Sequence, residues 1–153
     1  MDLQRWRLLL PGLWAGWLLC VAALATPAPF ALLPQADAGR VVGRMLAQEA
    51  YTGLALGVLL LVLERVAARR DVAAGRGSQF STGMVLALGA VFCTVAGYFA
   101  LQPMMAAARA GQGALSFGQL HALSAVFYGI KLLLVLALAW RAAGPGLTPR
   151  PSS

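Results

Sequence analysis

His121, Ser124, Tyr128 and Lys131 are spaced three, four and three apart in "FGQLHALSAVFYGIK". At 100° per residue these four polar side chains fall within an arc of roughly 80° on one helix. The chain has a single histidine, and Lys131 is its single lysine. An imidazole, two hydroxyls and an amine on one face could bind a polar ligand, relay a proton, or hydrogen-bond neighbouring helices. Their surroundings make the placement costly. Ala, Leu, Val, Phe and Ile fill the positions between them, and "LLLVLALAW" follows. Counted back from Arg141, Lys131 lies about 15 Å deep at 1.5 Å per residue. A charge at such a depth in hydrocarbon costs roughly 2.5–3.5 kcal/mol even on lenient insertion scales. The lysine therefore requires a partner, water, or the loss of its proton. Glu49 is the acid expected below the outer surface, with Gln48, Thr52 and Gln102 as polar neighbours. The set Glu49, His121, Ser124, Tyr128 and Lys131 is thus a candidate polar pocket opening to the periplasm. The alternative is a hydrogen-bond network that holds helices together without a ligand.

The elements that position these residues are dictated by composition. Hydrophobic residues make up 60% and charged residues 11% of 153 positions, against roughly 45–50% and about 25% in soluble proteins. The apolar residues cluster in four runs near the ~20 residues that cross a bilayer as a helix, expected over 8–30, 46–66, 82–102 and 118–140. Helices are required, because open strands leave backbone groups unpaired in lipid. The expected fold is an all-α, four-transmembrane-helix bundle, one domain over 1–142, followed by a disordered tail over 143–153.

Arginines orient it. Arg5 and Arg7 precede the first run, Arg65, Arg69, Arg70 and Arg76 fill the second link, and Arg141 and Arg150 follow the fourth. Arg40, Arg44 and Arg109 lie on the other side. This bias predicts a bacterial inner-membrane protein with both termini cytoplasmic. The net charge of +7 forms no stripe with interleaved aromatics, so nucleic acid is not an expected partner. The expected partners are the lipid bilayer and a second copy or another membrane protein. The first run has a rival reading as a signal peptide, with cleavage near Ala22–Ala25 leaving three spans.

Local signals refine the picture. Pro27, Pro29 and Pro34 predict a break or kinked exit from the first helix. Asp37 reads as the N-cap of a helical stretch over 35–50, either an outward extension of the second helix or a separate interfacial one. The link "ARRDVAAGRGSQFS" reads as a loop. Glycines four apart (Gly12 and Gly16, Gly39 and Gly43, Gly53 and Gly57) and the Gly89, Cys93, Gly97 stripe predict close helix packing. Gly12, Gly16, Gly53, Gly57, Gly89 and Gly97 are the candidate contact points, within the bundle or between copies.

"GLWAG" (Gly12–Gly16), "APFALLP" (Ala28–Pro34), "AGRVVGRM" (Ala38–Met45) and "FGQLHALS" (Phe117–Ser124) occur in that order. The set resembles a bacterial membrane family, domain of unknown function 4149, similar to the eukaryotic transmembrane protein 205 group. The resemblance implies a four-helix inner-membrane protein without an assigned activity. Its Leu-His-x-x-Ser feature corresponds to Leu120, His121 and Ser124, its Ala-Pro to Ala28 and Pro29, and its Ala-Gly to Ala38 and Gly39. A polar or acidic residue is typical near the position of Lys131, so the lysine departs from the pattern.

Three function classes follow. The first is a non-enzymatic accessory or small transporter-like module, with no cofactor. The second is soft-metal or haem handling. Cys20, Cys93, His121, Met104 and Met105, with Met45 nearby, offer thiol, thioether and imidazole groups suited to copper, without MxxM or CxxC spacing. The third is an enzyme, for which the chain has no HExxH, DxD, GxSxG or phosphate-loop motif.

Overall fold

A computed structural model describes residues 3–144. Four helices long and apolar enough to cross a membrane make up the fold: α1 (Leu3–Leu32), α2 (Gln35–Ala73), α3 (Thr82–Arg109) and α4 (Phe117–Ala142). No strand occurs among the described residues. Each helix packs on its neighbours in sequence, and α4 closes back on α1, so α1 faces α3 and α2 faces α4 across the diagonals. The core at the centre is Trp14, Leu18, Leu60, Ala87, Ala90, Val135 and Leu138. A smaller cluster of Leu101, Met105 and Leu120 fills the end bearing Pro34. Large apolar side chains cover the outside as well, among them Leu13, Val85, Leu133 and Trp140. A helix apolar on all sides belongs in hydrocarbon, where outward Leu and Val carry no penalty.

The helices run longer than the apolar stretches because polar turns continue them. The α2 helix has 39 residues, about 58 Å at 1.5 Å each, well beyond the ~30 Å hydrocarbon core. Residues 35–50 are continuous with the rest of α2 rather than a separate helix. Its N-cap is Pro34, and Asp37 sits inside the first turn, bonded to Arg40. This corrects the expected cap: the helix is capped three residues earlier, at Pro34. The link after α2 is likewise helical through Ala73, and the loop is confined to 74–81. Gly75 ends α2 at φ +70°, with Arg76 N bonded to Asp71 O and Gly75 N to Val72 O. Gly111 ends α3 in the same way at φ +73°, through Gln112 N to Ala107 O and Gly111 N to Ala108 O. Both are left-handed glycine caps that satisfy the last carbonyls. Ser81 caps α3 through Met84 N at 3.2 Å. Ser116 and Gln119 form a reciprocal capping box on α4.

Pro27 and Pro29 do not end α1, which breaks at the third proline of the expected exit, Pro34. The helix widens into one π-helical turn over Val21–Ala25 and continues over Pro27–Leu32. It ends only at Leu33, which is extended before Pro34. The α3 helix widens in the same way over Val95–Ala100, ahead of Pro103. A proline ring clashes with the carbonyl four residues back and offers it no N–H. A wider turn relieves the clash, and in a bundle neighbouring side chains supply the missing donors. The expected tail of 143–153 lies, from 145 onward, outside the described residues.

Candidate functional site

The α4 stripe is built against all three other helices. Lys131 Nζ donates to both oxygens of Glu49 on α2, at 2.8 and 2.9 Å. Both side chains are 4% exposed, so the pair spans the diagonal of the bundle away from solvent. The ammonium also lies 4.6 Å from the centre of the Tyr128 ring, a cation–π contact that occupies its remaining side. The Tyr128 hydroxyl donates to Leu18 O on α1 at 2.8 Å. The Ser124 hydroxyl donates to Gly97 O on α3 at 2.7 Å. Gly97 lies within the widened turn of α3, and Leu18 lies three residues ahead of the widened turn of α1. Donors from α4 thus reach the two helices that carry internal prolines.

Close approach depends on glycine at several points. A Cβ on Gly97 would lie 2.6 Å from Phe127 Cβ, which would push α4 off the carbonyl that Ser124 reaches. On α2, Gly53 and Gly57 form a trough for the Trp14 ring, and a Cβ on Gly57 would meet Val91 at 2.7 Å. Gly89 faces Leu134, at 3.0 Å from its would-be Cβ. Gly12 and Gly16 are different: both are exposed, with nothing within 4 Å of a Cβ. They pack no helix within this chain.

His121 is not gathered with the others. It is exposed and stacks on Phe117 at 5.9 Å, and Phe117 in turn carries the Arg109 guanidinium 4.4 Å over its ring. The arc places His121 on the right side of the helix, but Lys131 is ten residues away, about 15 Å along the axis. Gln48 and Thr52 are exposed, facing away from the pair.

A second ion pair, buried on its Glu64 side and part-exposed on its Arg7 side, lies at the arginine-rich end and is missed by the stripe argument. Arg7 grips Glu64 in a bidentate fork, Nε to Oε1 at 2.7 Å and Nη2 to Oε2 at 2.9 Å. Ser81, the α3 cap, adds a long 3.5 Å bond to the same carboxylate. Glu64 fits because residue 83 is glycine: a Cβ there would fall 2.0 Å from Oε2. This tie joins α1, α2 and the start of α3. Glu64 directly follows a Leu-rich run, and its opposite charge to Arg7 at the same end was the available signal.

Of the metal candidates, Cys20, Cys93 and His121 do not gather as a ligand set among the described residues. Cys20 is exposed and Cys93 buried. Met104 is exposed, while Met105 packs with Leu101 and Leu120. Among the described residues no three His, Cys, Asp or Glu side chains gather as a ligand set.

Ser124, Tyr128 and Lys131 therefore each spend hydrogen-bonding capacity on another helix. Removing one hydroxyl should have a small effect, because such bonds in membranes average about 0.6 kcal/mol and reach about 1.7. Tyr128→Phe and Ser124→Ala are expected to lower bundle stability within that range in detergent unfolding, with neither abolishing folding.

Neither curated proteins nor solved structures provide a match to this chain. A family model described as "Domain of unknown function (DUF4149)" matches residues 9–114. The match takes in the Gly12–Gly16, Ala28–Pro34 and Ala38–Met45 motifs and stops before Phe117–Ser124. More than half of the chain is covered, and on that basis the protein belongs to the DUF4149 family.

Proposed function

We propose that this chain is a non-enzymatic accessory protein of the bacterial inner membrane, a four-helix module with both termini cytoplasmic. The observation that carries this reading is the closed polar network. Ser124, Tyr128 and Lys131 each bond to a different helix, two of them to backbone carbonyls. A transporter-like module needs a polar cavity that opens to one side, and groups already bonded to one another favour the accessory role. The apolar outer surface suits the lipid bilayer together with a second copy or another membrane protein as partner. The excess of arginines before α1, after α2 and after α4 supports the orientation, and the similarity to the eukaryotic transmembrane protein 205 group belongs to the same proposal.

Reporter fusions test the orientation. A fluorescent protein fused after residue 144 or inserted at Gly77 should be bright, and alkaline phosphatase at Gly113 should be active. An active phosphatase at Gly77 would overturn the topology. The accessory role predicts that crosslinking in native membranes captures a protein partner or a second copy. Solute uptake that depends on this chain alone would overturn that role.

A further inference from the structure

We infer that a single water molecule is bound in the bundle interior, bridging Trp14 Nε1 on α1 and the Glu49 carboxylate on α2. The inference stands on the geometry of the bundle and not on the accessory role.

Trp14 is 1% exposed, and its indole N–H has no hydrogen-bond partner among the described residues. A buried tryptophan N–H ordinarily finds an acceptor, and an unsatisfied buried donor costs about 1–3 kcal/mol. Glu49 has the complementary surplus. An ionised carboxylate offers about four lone-pair directions, and Lys131 occupies one on each oxygen. The lysine has no proton to spare for a third party, since its free side faces the Tyr128 ring. A buried ion pair is held well only when its remaining lone pairs are also satisfied.

The unused donor and the unused acceptor border the same notch. It is the space left by the absent side chain of Gly53: the would-be Cβ lies 3.0 Å from Glu49 Oε1 and 3.5 Å from Trp14 Nε1. The two atoms make no direct hydrogen bond, yet each lies within 3.5 Å of that point. A water needs about one probe sphere of room and two to four polar partners. Here it accepts from the indole N–H and donates to Oε1. Gly53 then admits this water as well as the edge of the Trp14 ring, while Gly57 provides the closer helix approach, with Val91 at 2.7 Å.

Ultraviolet resonance Raman spectroscopy reads the hydrogen-bond state of an indole N–H, and it can be made specific to Trp14 by replacing Trp6, Trp17 and Trp140 with Phe. All three are exposed. In the full chain in lipid, the Trp14 band should report a hydrogen-bonded N–H, and Gly53→Ala should shift it to the free position by filling the notch. A free N–H before the substitution overturns the inference. A bonded N–H unchanged by Gly53→Ala also overturns it, because the partner is then a protein group. Should Gly53→Ala fail to fold, a density map of the unmodified protein decides: an ordered water within hydrogen-bond distance of both atoms supports the bridge. A dry notch or a direct indole–carboxylate contact refutes it.

Discussion

Lys131→Met should destabilise the bundle by about 3–5 kcal/mol, and Lys131→Met combined with Glu49→Met should recover most of that loss. Removing one partner of a buried ion pair strands the other charge without compensation, and that stranding is what costs several kcal/mol. Here Glu49 would be left 3% exposed, with its ion-pair partner Lys131 gone. Replacing both groups removes the burial cost along with the attraction, so an apolar pair of similar volume is tolerated. Unfolding in detergent of the two single variants and the double variant forms a thermodynamic cycle. A strongly favourable coupling energy is expected. Losses that simply add would mean that the two side chains act independently, contrary to the 2.8 and 2.9 Å contacts.

Gly57→Leu should have an effect of comparable size for a steric reason. A Cβ at this position already lies 2.7 Å from Val91 on α3 and 3.3 Å from the Trp14 ring on α1. A full leucine would wedge three helices apart, and overpacking a dense core typically costs 1–3 kcal/mol or more. Gly12→Leu and Gly16→Leu are the matched controls. Nothing lies within 4 Å of either Cβ, so the folded monomer should keep its stability to within about 0.5 kcal/mol. The same control variants, run on native gels, also report whether α1 carries a seam to a second copy.

That contrast marks where the sequence stops being informative. Two glycines four apart define a face of a helix, and both pairs look equivalent as patterns. Which face turns inward is set by the largest neighbour. Trp14 stands two residues from both Gly12 and Gly16, on the opposite side of α1, and its burial sends them outward. The helices themselves were legible, because runs of that length and polarity have one solution in lipid. Their ends were not, because proline φ, a capping serine or a left-handed glycine decides those, and each acts within one or two residues. Asp37 shows this: a good capping residue was bypassed because Pro34 starts the turn sooner.

The polar stripe was legible to the same degree. Helical spacing put Ser124, Tyr128 and Lys131 on one face, and the cost of a deep lysine pointed to Glu49. Spacing could not reveal that Ser124 and Tyr128 donate to backbone carbonyls, since every residue has one and the sequence marks none of them. Nor could it separate His121 from the group, because an angular arc ignores distance along the axis. The Arg7–Glu64 fork needed the knowledge that α1 and α2 meet at that end, which is a tertiary fact.

The account's central claim is that Ser124, Tyr128 and Lys131 are closed on the bundle rather than open to water. Thiol accessibility tests it most directly. In a Cys20→Ala background the chain keeps Cys93, which is buried, and Ser124→Cys adds a thiol on the stripe itself. Intact membranes exposed on both faces to a charged, membrane-impermeant thiol reagent should leave both positions unlabelled until denaturant is added. Rapid labelling of Ser124→Cys in the native membrane would contradict the account, because it would reveal an aqueous path into the centre of the bundle.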